Sequence, residues 1–177
     1  MQKFYAVIDT NVIISRLIKS KNQDDTITKL INKYIFADEI LVPVVNNDII
    51  KEYKDVISNN KFRKYFDIDL ANEFIDDIKE KAIVIDTPSD YKKTLKENAN
   101  VKHEDDLVFY YITLEAKEDI CKDTYLITGN DRHFNFSLDF IVRPKEMLNI
   151  IENSLKKFNF YKFLKFITKF WQKLIDK

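Results

Sequence analysis

Along the first 145 residues, short apolar runs alternate with longer stretches whose apolar residues recur every three or four positions. The longer stretches predict helices from Val12, around 27–35, over 48–58, 69–81 and 106–116, and from Pro144 onwards. The short runs predict strands at residues 4–8, 40–45, 82–85, 124–128 and 139–142. Because alternating strands and helices form βαβ units, we predict an α/β fold, a three-layer α/β/α sandwich around a mainly parallel sheet of about five strands, followed by a C-terminal amphipathic helix.

Polar side chains follow two of the predicted strands at the point where each strand ends. Asp9 follows the first strand, and Asn130 and Asp131 follow the fourth. Glu52 lies one turn into the helix after the second strand, and Asp106 begins the helix before the fourth. Ligands of parallel sheets bind at the carboxyl ends of the strands, so we expect these side chains to converge there.

Converging carboxylates repel one another unless a positive charge lies between them. Mg²⁺ takes one or two protein carboxylates, keeps several waters and binds substrate phosphates, and in nucleases such a site activates water. Taken singly, Asp9 and Asp106 are better explained as helix caps, and Glu52 as a solvated helix residue. Only the gathering of these acids at one sheet edge indicates a metal site.

The composition excludes several other classes of site. The chain has 177 residues, enough for one domain, and Gly129 is its only glycine, which excludes the glycine-rich loops that bind nucleotide phosphates. Cys121 is the only cysteine, so neither an internal disulfide nor a thiolate zinc site is formed, and we assign it no role. No signal peptide precedes Asp9, and we expect a cytoplasmic protein.

The charges are unevenly distributed along the chain. Of 29 basic and 29 acidic residues, seven lysines and one acid, Asp176, lie in residues 154–177, which leaves 22 basic and 28 acidic residues in 1–153. We therefore divide the chain into a domain at 1–150 and a basic, aromatic-rich helix at 151–177. In that helix the lysines fall on one side, and the other side carries Phe160, Phe163, Leu164, Ile167, Phe170, Trp171 and Leu174.

Three interpretations of this helix remain open. It packs its aromatic face on the domain, or it docks that face against a second copy or a protein partner, or it lies on a membrane surface. In each of them the lysines also attract RNA to an otherwise acidic body.

Four sequence motifs together resemble the PIN-domain family. They are IDTNVIIS at 8–15, EYKDVI at 52–57, DDLVF at 105–109 and LITGNDRHF at 126–134. The segment IVRPKE at 141–146 resembles the closing strand and helix start of that family. The order and spacing match over about residues 4 to 150, and they are most similar to the toxin components of bacterial type II toxin–antitoxin systems, which are Mg²⁺- or Mn²⁺-dependent ribonucleases.

The resemblance implies a set of metal-binding and catalytic residues. It makes Asp9, Glu52 and Asp106 the acids of the site, with Asp9 the foremost direct ligand. The fourth acidic position of the family falls on Asn130, a departure that leaves a carbonyl oxygen in place of a carboxylate. Asp131, the next residue, is then expected to compensate as a metal ligand.

Four further residues are expected to support the site. The resemblance implies that Thr10 and Asn11 orient the metal-binding acids and makes Asp105 a reserve ligand. Arg132 has the planar fork that binds phosphate oxygens, although a surface ion pair explains it equally well. His133 is expected to be structural, packed with Phe134 beside the last strand, because a metal that activates water needs no general base.

The predicted function is a metal-dependent endoribonuclease, with RNA as substrate and with a cognate antitoxin and a homodimer as further partners to consider. One alternative is a PIN-fold module that binds RNA or protein without catalysis, because Asn130 weakens the metal site. Another is a haloacid-dehalogenase-like phosphatase, which also carries an aspartate after its first strand. That class requires a second acid two residues later, where this chain has Asn11.

Overall fold

The computed structural model describes residues 2–18, 25–88 and 106–175. Five parallel strands form one sheet in the order β3-β2-β1-β4-β5. The strands are β1 (Phe4–Ile8), β2 (Leu41–Val45), β3 (Ile83–Val84), β4 (Thr124–Ile127) and β5 (Ile141–Val142). Helices flank this sheet, so the predicted α/β sandwich is confirmed.

Each predicted helix is present, with small shifts at its ends. The helices are α1 (Thr10–Leu17), α2 (Asp25–Thr28), a π-helix (Lys29–Ala37), α3 (Asn47–Ile57), α4 (Ile68–Lys81), α5 (Leu107–Asp119) and α6 (Pro144–Ile175). A short 3₁₀-helix (Asn60–Phe62), which the sequence pattern did not indicate, lies between α3 and α4. Among them, α4, α5 and the π-helix pack directly on the central strands.

Side-chain caps explain where three of the helices begin. Asn46 accepts a hydrogen bond from the backbone N–H of Ile49 and opens α3. Asp67 caps α4 in the same way. Asp9 caps α1, so this helix begins at Thr10, two residues before the predicted start. The cap therefore places the first acid of the predicted site directly at a helix N-terminus.

The two outer strands are shorter than predicted. We expected four residues in each of β3 and β5, and each has two. An edge strand pairs on one side only, so its regular hydrogen bonding ends earlier than that of a central strand. Both residues of β3 are partly exposed, whereas Ala6 and Val7 of the central β1 are fully buried.

The strand order creates a crevice between β1 and β4. From β1 the chain adds β2 and β3 on one side of the sheet, and then returns to add β4 and β5 on the other. Ligands of open parallel sheets bind where the strand order reverses in this way, at the carboxyl ends of the strands. Ile8 pairs with Ile127, so Asp9 and Thr128 follow their strands side by side.

The C-terminal helix α6 is continuous across the boundary that we drew at residue 150. Met147, before that boundary, and Ile151, just after it, are both fully buried. The helix therefore contributes side chains to the core on both sides of the boundary. Phe160, Phe163 and Leu164 are 45–63% exposed. The interpretation that the aromatic face packs on the domain is therefore wrong for these three residues. Phe160 follows Ile151 by nine residues, about two and a half helical turns, and so lies on the opposite side of the helix.

The rest of the predicted aromatic face, from Ile167 to Leu174, lies outside the described side chains. Within the part of the chain that the structure describes, no helix combines the length and the apolar character needed to cross a membrane.

Candidate active site

Asp9 lies at the centre of the candidate site, buried at the crevice between β1 and β4. It is 4% exposed, and its side chain accepts three hydrogen bonds. The backbone N–H of Asn11 donates to Oδ1 at 3.2 Å, and the Asn11 amide nitrogen donates to Oδ2 at 2.7 Å. The hydroxyl of Thr128 donates to the same Oδ2 at 2.5 Å. These donors and the N-terminus of α1 hold the carboxyl group in one orientation.

Burial raises the pKa of Asp9 from 3.8 to about 6. The hydrogen bonds from Thr128 and Asn11 oppose this shift, and the negative charge of Asp106 adds to it. Asp9 and Asp106 therefore interact electrostatically, as expected for two carboxylates at one sheet edge. A cation bound between them would remove both the repulsion and part of the burial cost.

Asn11 and Thr128 also tie the two strand ends together. The side-chain oxygen Oδ1 of Asn11 accepts a hydrogen bond from the backbone N–H of Gly129 at 3.4 Å. The Thr128 hydroxyl oxygen accepts one from the backbone N–H of Asn130 at 3.0 Å. Asn11 was predicted to orient the acids and does contact Asp9. Asn11 stands where the phosphatase alternative requires a second acid. Its side-chain amide instead donates a hydrogen bond to Asp9.

Glu52 joins the site through Thr10. The Thr10 hydroxyl donates to Glu52 Oε1 at 2.6 Å, which connects the first residue of α1 to α3. The next residue, Tyr53, is fully buried and donates its hydroxyl to the carbonyl oxygen of Ile8, just before Asp9. Burial raises the pKa of Tyr53 well above its usual range, and the charges of Asp9 and Glu52 raise it further. Tyr53 therefore stays protonated and keeps donating its hydrogen bond.

Asp106 contacts His133, which the sequence pattern did not assign to the site. His133 Nδ1 lies 2.7 Å from Asp106 Oδ2. The expectation that His133 only packs with Phe134 is therefore wrong, although Phe134 itself is buried. Asp106 precedes α5, yet its side chain makes no capping hydrogen bond to the helix. The simple capping interpretation thus holds for Asp9 and fails for Asp106.

The remaining predicted residues lie at the margin of the site or outside the described residues. Asn130 is half-buried directly after Gly129, and Asp131 and Arg132 are exposed. Asp105 falls outside the described residues. In residues 2–18, 25–88 and 106–175, no three His, Cys, Asp or Glu side chains are grouped closely enough to hold a metal ion.

Sequence reasoning missed three contributors, namely Thr128, Tyr53 and His133. Thr128 and Tyr53 belong to the quoted motifs, but their partners are Asp9 and Ile8, which are distant in the sequence. The signal for Thr128 was its place at the end of a strand beside Gly129. It becomes informative only when β4 is known to pair with β1. His133 has no comparable signal, because its loop positions it against Asp106.

The fold has counterparts among solved structures, although no protein-family model and no curated protein matches the sequence. It is similar to the crystal structure of PAE2754 from Pyrobaculum aerophilum, with a TM-score of 0.56 and 14% identity, over 86% of this chain and 99% of that one. VapBC2 from Rickettsia felis, bound to a DNA fragment from their promoter, gives a TM-score of 0.46 and 13% identity over 79% and 97% of the two chains.

The structural match to PAE2754 shows a shared fold, and at 14% identity it shows nothing about activity. PAE2754 is a PIN-domain protein, and 99% of its chain is covered by the structural match to this protein. The resemblance that the four motifs carry is thus confirmed at the level of structure. The chain therefore has the fold of the PIN-domain proteins.

Proposed function

We propose that this chain is a Mg²⁺- or Mn²⁺-dependent endoribonuclease that hydrolyses RNA phosphodiester bonds and acts as the toxin of a toxin–antitoxin system. One observation carries the proposal. Asp9, a buried carboxylate with a pKa raised to about 6, lies at the strand-order reversal and is repelled by Asp106. Two repelling carboxylates at one edge add no stability to the fold, whereas a divalent cation between them would relieve the repulsion and bind through them.

The residues present suit a cation of this kind. Mg²⁺ binds through one or two carboxylates and keeps waters and substrate oxygens for its other positions. Asp9 and Asp106 would supply those carboxylates, and Asn130, Glu52 or Asp131 would complete the set. When bound, the cation supplies an activated water and stabilises the leaving oxygen of the phosphodiester.

The other side chains of the site act by orienting these ligands. Asn11 and Thr128 hold both oxygens of Asp9, and Thr10 holds Glu52. His133 holds Asp106 in the same manner. Such partners of metal-binding groups typically change metal affinity or activity by about 10- to 100-fold when they are lost.

The toxin role and its partners rest on the sequence resemblance. RNA is the proposed substrate, and a cognate antitoxin is the proposed regulatory partner. The homodimer stays a prediction. Induced expression in bacteria tests the toxin role, since growth should stop with the wild-type chain and continue with Asp9→Asn.

Nuclease activity is tested with purified protein and a pool of single-stranded RNA, in Mg²⁺, in Mn²⁺ and with a chelator. We expect cleavage only with metal, and its loss in Asp9→Asn and Asp106→Asn. Asp139→Asn is the matched control, because Asp139 is an exposed aspartate that belongs to none of the four motifs. Cleavage that persists with chelator, or that survives both site variants, would contradict the proposal.

A second candidate function is an RNA- or protein-binding module without catalysis. It is favoured by Asn130 in place of a fourth acid, and by the lack of a three-acid group within the described residues. Titration calorimetry with Mn²⁺ separates the two functions. Metal binding that Asp9→Asn abolishes supports the nuclease, and RNA binding without any metal binding supports the module.

A further inference from the structure

The segment between α3 and α4 is basic and aromatic in a domain that is acidic overall. Residues 59–66 read NNKFRKYF, with three cations, three aromatic residues and no acid. The segment has a defined shape, because Asn59 accepts a hydrogen bond from the backbone N–H of Lys61 and opens the 3₁₀-helix. It therefore presents its side chains from a fixed backbone.

The three cations of this segment face solvent. Lys61, Arg63 and Lys64 are exposed, and none of them forms an ion pair with an acid that the structure describes. Lys61 and Lys64 instead lie over the neighbouring rings of Phe62 and Tyr65, at 4.8 Å and 4.9 Å from the centroids. The rings thus hold the two ammonium groups, and no described carboxylate neutralises their charge, which an anionic partner would meet.

The aromatic residues differ in their exposure. Phe62 and Phe66 stack on each other with centroids 6.0 Å apart and pack against the core, which anchors the segment. Tyr65 is 44% exposed. It lines a cavity of about 160 Å³ together with Arg16, Leu17, Asp67 and Leu70, among others. A cavity near 150 Å³ takes a benzene ring, so this one takes one planar ring of that size.

This cavity lies at the opposite end of α1 from Asp9. Asp9 caps the start of α1 and Arg16 is in its last turn, about 10 Å further along the axis. Arg16 is held in place, since its Nε donates to Asn32 Oδ1 at 3.0 Å and its guanidinium lies over Phe74. A few nucleotides of an extended strand would span the distance from the cavity to the candidate active site.

We propose that residues 59–66 and Arg16 form a binding surface for single-stranded RNA, with one unpaired base stacked on Tyr65 in the cavity and phosphates on Lys61, Arg63 and Lys64. Three exposed cations beside one exposed ring match the phosphates and an unpaired base of a single strand. A duplex keeps its bases stacked internally and offers none to Tyr65. The choice of RNA rests on the proposed nuclease function, whereas binding at this surface needs neither metal nor cleavage.

The test is the affinity of the full-length protein for a labelled 12-nucleotide single-stranded RNA, measured by fluorescence anisotropy with a chelator present. We expect Tyr65→Ala to weaken binding about 5- to 150-fold and Tyr65→Phe to preserve it, because loss of one base–aromatic stack has an effect of that size. Tyr65 is exposed, so thermal unfolding should be unchanged in both variants and serves as the folding control.

The phosphate contacts are tested by the salt dependence of the same affinity. Changing Lys61, Arg63 and Lys64 to Ala should reduce the slope of log affinity against log salt by about 2, since each phosphate contact on a single strand contributes about 0.7. Changing the exposed lysines Lys79, Lys122 and Lys145 to Ala is the matched control and should leave the slope close to that of the wild type.

The outcomes separate this proposal from the proposed nuclease function. RNA binding that depends on Tyr65, in a protein that never cleaves RNA, supports the surface and contradicts the nuclease. Metal-dependent cleavage with unchanged binding in Tyr65→Ala and the triple variant does the reverse. Equal competition by duplex RNA or by polyglutamate would overturn the surface as a single-stranded RNA site, the latter in favour of an acidic protein partner.

Discussion

His133 Nδ1 lies 2.7 Å from Oδ2 of Asp106 and joins the loop after β4 to the start of α5. The side chains of His133 and Asp106 are 32% and 15% exposed, so both are partly shielded from water. Asp106 is thereby held by a residue outside its own helix, and the contact restricts the orientation of its carboxylate. A side chain that the sequence marked as structural thus positions an acid of the candidate site.

Replacing His133 with Ala should weaken Mn²⁺ binding and RNA cleavage by about 10- to 100-fold, because Asp106 loses its orienting partner. His133→Asn should retain more of both, since its amide reaches a similar position to Nδ1. The measurements are titration calorimetry with Mn²⁺ and initial rates of cleavage. Wild-type metal affinity in His133→Ala would show that the contact is merely structural.

The raised pKa of Asp9 predicts how the stability of the metal-free protein depends on pH. Between pH 3.8 and about pH 6, the folded state binds more protons at Asp9 than the unfolded state does. The free energy of unfolding therefore falls as the pH rises through this window. The protonated Asp9 side chain thus adds on the order of 3 kcal/mol to the free energy of unfolding at low pH, relative to the ionised form, and this contribution is fully lost above pH 7. Asp9→Asn should therefore be more stable than the wild type at pH 7.5, and this advantage should disappear near pH 4.

Urea unfolding of both proteins with a chelator present, from pH 4 to 8, measures this difference. The control is Asp139→Asn, which should parallel the wild type because Asp139 is exposed. A constant difference between Asp9→Asn and the wild type across the pH range would contradict the assignment of the raised pKa to Asp9.

Asn130→Asp should restore the fourth carboxylate of the family pattern. We expect Mn²⁺ affinity to rise on the order of tenfold, since the charge of the ligand set tunes the affinity for divalent cations. Without metal, the added charge should repel Asp9 and destabilise the fold. Calorimetry and unfolding of the same variant check both effects, with Asn130→Ala as control. Unchanged affinity in Asn130→Asp would place residue 130 outside the metal-binding set.

The exposed aromatic residues of α6 should contribute little to folding. Changing Phe160, Phe163 and Leu164 to Ser should alter the free energy of unfolding by less than about 1 kcal/mol, because these side chains are already largely in water. Ile151→Ala on the same helix should cost about 2–5 kcal/mol, because Ile151 is fully buried. Urea unfolding compares the two. A large loss in the Ser variant would mean that the aromatic face packs on the domain after all.

Local patterns in the sequence predicted most of the secondary structure. Asn46 and Asp9 act on backbone groups two or three residues away, so their capping is visible in the sequence alone. The lengths of β3 and β5 were overestimated, because an edge position depends on which strands lie beside it. The aromatic face after Phe158 was visible too, but its direction relative to Ile151 required the phase of one continuous helix.

The sequence by itself determined the alternation of strands and helices, the acids at the strand ends and the contact of Asn11 with Asp9, because each depends on residues that are neighbours in the chain. Only the tertiary structure decided that Thr128 donates to Asp9, across 119 positions, and that His133 reaches Asp106. Pairing of β1 with β4 and the path of one loop create these contacts, and both depend on how the whole sheet and its helices pack together. Such packing is a property of the assembled core, and no short segment of the chain encodes it.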